Sequence, residues 1–125
     1  MLELNNAQKL MDELWTTTSA KVELSDSLKR EFFSVHGAGA VYYDNKRSYH
    51  RFYMRGKAVL KRGTTLLGTY TKDVSRQGVA FLSPVPLLPK ERVTLYLLTA
   101  KISLEVTRCH RIQAACFECG AKFVL

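Results

Sequence analysis

The chain has 125 residues and carries 19 Lys and Arg against 11 Asp and Glu, a formal net charge of +8 at pH 7. A chain of this length is one domain that buries a core without disulfide staples, and a hydrophobic share of 46% excludes a disordered protein. The basic excess predicts an anionic partner, such as a nucleic acid, a nucleotide or a membrane surface.

The N-terminus and the cysteines predict the compartment. Residues 1–15 hold acidic and amide side chains where a secretory signal needs positive charge followed by an apolar run. No stretch approaches the roughly 18 apolar residues of a spanning helix, and three cysteines fit a reducing compartment better than a disulfide framework. We therefore expect a cytoplasmic protein with no membrane partner.

Residues 1–45 are predicted to form an N-terminal helical extension and linker. The first helix spans residues 6–15, where apolar side chains recur at helical spacing, and Asn5 or Asn6 is available as its N-cap. Residues 38–43 are predicted as a short strand or an extended linker that leads into the main domain.

A second helix is predicted to begin at Ser25 or Asp26 and to stop at Gly37. It carries Phe32 and Phe33, which are too apolar to be left in water. We expect these two side chains to cover an edge or an end of the main fold, or to pair with another subunit in a homodimer.

Residues 46–125 are predicted to form a mainly β domain. Short runs rich in Val, Leu, Ile, Tyr and Thr alternate there with glycine and proline, and residues 102–107 alternate strictly between apolar and polar side chains. Six short strands at this spacing predict an antiparallel sandwich or a small barrel. The six runs are residues 55–61, 64–71, 79–82, 92–98, 102–107 and 116–124.

The net positive charge is concentrated in one part of the β domain. Residues 46–72 contain eight basic residues and no acidic one, and the rest of the chain has balanced charge. This strip ends in a polar turn at residues 73–78, so it is typical of a site for an anion that also carries hydrogen-bonding edges. The basic residues are Lys46, Arg47, Arg51, Arg55, Lys57, Lys61, Arg62 and Lys72.

Five residues in and after this strip have side chains suited to a guanine nucleotide. Arg51 and Arg55 are four apart, on one face of a strand or helix, and a guanidinium binds phosphate bidentately, stacks on bases and bonds guanine O6 and N7. The Asp73 carboxylate would accept from guanine N1–H and N2–H, a donor pair that adenine lacks. Ser75 offers a hydroxyl donor, and Gly78 permits a positive φ or a close approach of backbone to ligand.

The two halves of this pattern resemble the PilZ domain family. Arg51-Phe52-Tyr53-Met54-Arg55 matches the family's Arg-x-x-x-Arg, and Asp73-Val74-Ser75-Arg76-Gln77-Gly78 matches its (Asp/Asn)-x-Ser-x-x-Gly. The gap between them fits a two-strand hairpin that turns near Gly63. The resemblance covers about residues 47–125.

The resemblance implies a six-stranded antiparallel β-barrel that binds the bacterial second messenger cyclic di-GMP. In the family the arginine segment is a mobile loop that closes over the ligand. By position, Arg51 and Arg55 would contact guanine and phosphate, Asp73 and Ser75 would read a guanine, and Gly78 would keep the barrel surface open.

Several features extend or depart from the family pattern. Arg47, His50 and Arg76 are candidates for additional ligand contacts, and His50 leaves one or two ligands per chain open. Many members close the barrel with a C-terminal helix, which we expect this chain to lack. The implied role is a non-enzymatic signalling receptor or adaptor that needs no cofactor and acts on an unidentified downstream protein.

Two other functions are alternatives to the hypothesis of a cyclic di-GMP receptor. A small β-barrel that binds single-stranded nucleic acid would stack bases on the aromatic residues beside the basic strip, although we rank a nucleic-acid partner lower. A PilZ-like interaction module without ligand is the second alternative, and the intact motif argues against it. The aromatic residues are Tyr42, Tyr43, Tyr49, Phe52 and Tyr53.

Metal binding and catalysis have less support. Cys116 and Cys119 are spaced like zinc ligands and follow Cys109 and His110. In a strand, however, residues three apart point to opposite faces, so we expect no metal. The three histidines are scattered and suggest no nucleophile, base and acid set, so we expect no enzymatic activity.

Overall fold

The structure is a computed structural model. It describes the backbone of residues 2–35, 37–44, 47–98 and 100–124, and the side chains of residues 6–35, 52–98 and 100–124. These ranges contain two helices and eight strands: α1 Leu2–Thr16, β1 Ala20–Lys21, α2 Asp26–Phe33, β2 Gly37–Asp44, β3 Arg47–Arg62, β4 Thr65–Val74, β5 Gly78–Ser83, β6 Arg92–Tyr96, β7 Lys101–Gln113 and β8 Cys116–Phe123.

Six of the strands close into an antiparallel barrel, which confirms the barrel that the family resemblance implied over the alternative of a sandwich. They follow the order β3-β4-β5-β8-β7-β6, and the pairing of β6 with β3 closes the ring. The turn between β3 and β4 contains Gly63, which has a positive φ of 61° and so suits a residue without a Cβ. Two further strands lie outside the ring: β1 pairs in parallel with β4, and β2 pairs with the first half of β3.

The barrel interior is filled by apolar side chains from alternate positions of its strands. Leu60, Phe81, Leu95 and Leu104 are fully buried and come from β3, β5, β6 and β7. Side chains alternate between the two faces of a strand, so the residues between them face outward. Burial of these side chains is the main term that stabilises the barrel.

A second apolar cluster joins the helices to the outer face of the barrel. Trp15 of α1 stacks on Tyr70 of β4 with ring centroids 5.4 Å apart, and its indole Nε1 donates to Thr69 O at 2.9 Å. Phe32 and Phe33 of α2 also pack against Tyr70. They cover the main fold, which is one of the two alternatives predicted; the homodimer stays a prediction.

Several element bounds differ from prediction. Helix α1 begins at Leu2, so Asn5 and Asn6 lie inside it and neither is its N-cap, and β7 continues to Gln113. Helix α2 begins at Asp26 as predicted, with the Ser25 hydroxyl as its cap, but it ends at Phe33 instead of continuing to Gly37. The arginine segment is part of β3, whereas the family resemblance implied a loop, because β2 supplies a strand partner for residues 47–53. Neither described helix is long and apolar enough to cross a bilayer.

The contact of Trp15 with the barrel predicts a contribution of α1 to the stability of the protein. Trp15→Phe keeps an aromatic ring on Tyr70 but removes the indole donor from the buried Thr69 carbonyl, so the free energy of unfolding should fall by roughly 1–3 kcal/mol. Urea unfolding followed by circular dichroism measures this loss. Leu10→Ala on the same helix is the control, because Leu10 is 65% exposed and should change stability little. Equal free energies of unfolding for the two variants would contradict a stabilising role of the Trp15 hydrogen bond.

Candidate ligand-binding site

The turn between β4 and β5 carries the second half of the predicted motif. Ser75 N donates to Gly78 O at 2.9 Å, and Gln77 N donates to Ser75 Oγ at 3.3 Å. These bonds hold the turn in one shape, with Ser75 Oγ as an acceptor inside it. Asp73, at the end of β4, is 5% exposed.

Two β-bulges turn polar side chains to the outer face of the barrel beside this turn. Lys72 is an extra residue of β4 against β5, and Thr107 is an extra residue of β7 against β8. The Thr107 hydroxyl donates to Gly120 O at 3.0 Å. Side chains along a strand alternate between the inside and the outside of the barrel, and each bulge shifts this alternation by one residue. Asp73 and Arg108 therefore face outward, whereas strict alternation would have turned them inward.

A pocket of about 300 Å³ lies on this outer face. Three of the predicted site residues, Asp73, Ser75 and Gly78, line it, and Arg108 and Lys122 bring positive charge to it. The structure therefore brings together the second half of the motif and adds two cations that the sequence analysis did not select. The remaining lining residues are Gln77, Val79, Ala80, Thr107, Gly120 and Ala121.

Gly78 serves the packing of two strands, and its backbone conformation corrects the positive φ that was one of the roles predicted for it. Among the described glycines the positive φ belongs to Gly63, not to Gly78. A Cβ on Gly78 would overlap the carbonyl oxygen of Ala121 in β8 and come within 2.9 Å of the Ala121 carbonyl carbon. The structure thus shows a close approach of β5 to β8 at Gly78, and the approach of a ligand to this residue stays a prediction.

Arg55, the second arginine of the motif, is directed to helix α2. Met54 and Arg55 together face the single residue Lys72 of β4 in a bulge. Arg55 Nη1 donates to Phe32 O at 2.8 Å, and its guanidinium carbon lies 4.3 Å from the centre of the Phe32 ring. Arg55 Nε is buried with no hydrogen-bond partner among the described residues.

The other predicted residues of the arginine segment lie where the structure describes backbone alone. Arg47, His50 and Arg51 belong to β3, and their side chains are outside the described part of the chain, as are those of the tyrosines at 42, 43 and 49. Their ligand contacts stay predictions. Arg76 is exposed in the turn between β4 and β5.

Glu118 of β8 organises the cations next to the pocket. It accepts from Lys72 Nζ at 2.8 Å, and His110 Nε2 and Arg108 Nη1 lie 3.6 and 4.0 Å from its carboxylate. Burial raises the pKa of Glu118, but the Lys72 hydrogen bond and the charges of the nearby Lys72, His110 and Arg108 side chains lower it more when they are protonated, so the pKa lies below its ordinary value. Glu118 is therefore an anion at neutral pH.

The cysteines face different parts of the structure, as predicted. Cys119 lies in the barrel interior, and Cys116 lies in the outer cluster with Trp15 and Tyr70. Cys119 Sγ is 3.3 Å from Cys109 Sγ, and burial raises the pKa of the Cys119 thiol. Across the described ranges no group of three or more His, Cys, Asp and Glu side chains could hold a metal ion.

Comparison with known families decides the family of this chain. A family model described as PilZ domain matches residues 45–125. The chain belongs to the PilZ domain family. This membership supports a role in the class of cyclic di-GMP receptors and adaptors, which are generally non-enzymatic binding modules. No curated protein matches the chain in a sequence search.

The contact between β5 and β8 predicts the effect of a single methyl group. Gly78→Ala should lower the free energy of unfolding by about 3 kcal/mol or more, because the new Cβ must displace the Ala121 backbone. The matched control is Gly56→Ala, where a Cβ would meet nothing within 4 Å. Thermal and urea unfolding of both variants check this expectation. A Gly78→Ala protein as stable as its Gly56→Ala counterpart would refute it.

Proposed function

We propose that this PilZ protein is a receptor for cyclic di-GMP that catalyses no reaction and passes its ligand state to a downstream protein. The observation that carries the proposal is the pocket in which Asp73, Ser75 and Gly78 of the second motif lie beside Arg108 and Lys122. A carboxylate and a hydroxyl suit a guanine edge, and the cations suit a phosphate.

The proposed recognition of guanine depends on Asp73 and Ser75. Asp73 is largely buried yet lines the pocket, so its carboxylate would accept from guanine N1–H and N2–H away from bulk water, where such hydrogen bonds are strong. Ser75 Oγ already accepts the Gln77 amide, which leaves its O–H to donate to the ligand. Adenine offers no matching pair of donors to Asp73.

The arginine segment is proposed to complete the site from the β3 side. A pocket of about 300 Å³ is at the lower end of the range for small-molecule sites, so it would hold only part of a cyclic dinucleotide. Tyr53 of β3 pairs with Asp73, which places the Arg51–Arg55 segment next to the pocket. Arg51 and Arg55 would contact the phosphates and guanine that the pocket leaves uncovered.

The proposed signal is the transfer of Arg55 from α2 to the ligand. Arg55 Nη1 is bound by the Phe32 carbonyl, whereas its buried Nε has no described partner. A phosphate would offer an acceptor to Nε and would attract the guanidinium more strongly than a neutral carbonyl does. Loss of the Phe32 contact would loosen α2 on the barrel, and a partner protein would read that change.

Isothermal titration of the purified protein with cyclic di-GMP tests the proposal. We expect saturable binding that GTP and cyclic di-AMP do not reproduce, and a stoichiometry of one or two ligands per chain. Arg51→Ala and Arg55→Ala should each weaken binding by roughly tenfold to a hundredfold, because each removes charge-assisted hydrogen bonds of about 1.5–3 kcal/mol.

Arg92→Ala is the control variant, since Arg92 lies on β6 with an exposed side chain that contacts Glu105. Thermal unfolding of each variant shows whether it is folded. No binding by the wild-type protein at tens of micromolar would refute the receptor function. Binding of many single-stranded sequences with a steep salt dependence would favour the nucleic-acid alternative instead.

A further inference from the structure

Four residues form a straight row across the outer face of the barrel. Asp73 of β4 pairs with Ala80 of β5, Ala80 pairs with Gly120 of β8, and Gly120 pairs with Arg108 of β7. All four line the pocket. The row thus has a carboxylate at one end, a guanidinium at the other and two of the smallest side chains between them.

Arg108 lies along this row instead of extending into solvent. A Cβ on Gly120 would come within 2.7 Å of Arg108 Nε, 3.1 Å of its Cγ and 3.2 Å of its Cζ. The side chain therefore crosses directly over Gly120, and a Cβ there would displace it from this position. Gly120 has no positive φ, so the glycine bears on the position of Arg108 and not on a strained backbone.

A second contact holds the guanidinium down on the sheet. Arg108 Nη1 lies 4.0 Å from Glu118 Oε1, and Glu118 is itself held by Lys72. Gly120 and Glu118 are two residues apart on β8, so their side-chain positions share the outer face. The guanidinium spans both positions, while the Arg108 side chain remains 48% exposed.

We propose that Arg108 is the base-stacking residue of the site. This inference rests on the proposed function. A base placed over Ala80 and Gly120 would stack on the guanidinium of Arg108, because arginine planes stack favourably on aromatic faces. The edge of the same base would then face Asp73 at the other end of the row.

The row is long enough for one base to lie along it. Neighbouring strands are about 4.8 Å apart, so the row spans about 14 Å between the outer backbones. Arg108 reaches back over Gly120, so a base over Gly120 would lie on the guanidinium with its edge directed along the row towards Asp73. Stacking supplies affinity for any purine, and Asp73 selects guanine from the edge.

Titrations of cyclic di-GMP into matched variants test this inference. Arg108→Ala should weaken binding by about tenfold or more, as removal of a base-stacking side chain does elsewhere. Arg108→Lys should remain nearly as weak, because lysine keeps the charge but has no planar group. Wild-type affinity in either variant would overturn the stacking role, and Arg92→Ala again serves as the control.

Gly120→Ala tests whether the Arg108 side chain must lie over Gly120 for the ligand to bind. Its Cβ should displace Arg108 and weaken binding, whereas in an Arg108→Ala background the same change should have little further effect. Full additivity of the two substitutions would overturn the inferred arrangement. If the wild-type chain fails to bind cyclic di-GMP at all, the proposed function fails; if it binds and the Arg108 variants bind equally well, only this inference fails.

Discussion

The double pairing of strand β3 is the constraint on which the rest of the structure depends. Val59, Leu60 and Lys61 pair with β4 on one side and with β6 on the other, so this short stretch closes the barrel. The same strand continues back beyond the barrel to Arg47, where β2 pairs with it. The barrel strand β3 therefore also carries the arginine segment, in which Tyr53 pairs with Asp73.

The placement of Arg55 follows from the same strand. The bulge of β3 at Met54 and Arg55 is held by Thr71 of β4. The Thr71 hydroxyl accepts from Gly56 N at 3.2 Å and donates to Met54 O. The bulge directs Arg55 to α2, where Phe32 accepts from one nitrogen and Nε has no partner among the described residues. A buried guanidinium nitrogen without a partner is costly, and the proposed transfer of Arg55 to an anion would remove this cost.

Much of the architecture could be predicted because local patterns and the fold agree. The alternation of residues 102–107 predicted a strand that lies within β7, the second helix was predicted to begin at Ser25 or Asp26 and begins at Asp26, and Gly63 predicted a turn. The second motif predicted that Asp73 and Ser75 lie together, and both line the pocket. These features depend on residues close in sequence, so their patterns are visible there.

The rest depends on bulges, which the sequence does not reveal. Strict alternation from Leu104 and Val106 would put residue 108 inside the barrel, and the extra residue Thr107 turns Arg108 outward. The charge of an arginine was the signal against an inward position. The direction of Arg55 was equally hidden, because it follows from a bulge opposite Lys72 and from the end of α2.

The most direct test of the account is a cyclic di-GMP titration followed by ¹⁵N–¹H NMR spectra. The account predicts saturable shifts of the Ser75, Gln77 and Gly120 amides and of the Arg55 side-chain Nε–H, while amides at the β3–β4 turn near Gly63 stay unchanged. Shifts confined to the end of the barrel near Gly63, or spectra that do not respond to the ligand, would contradict it.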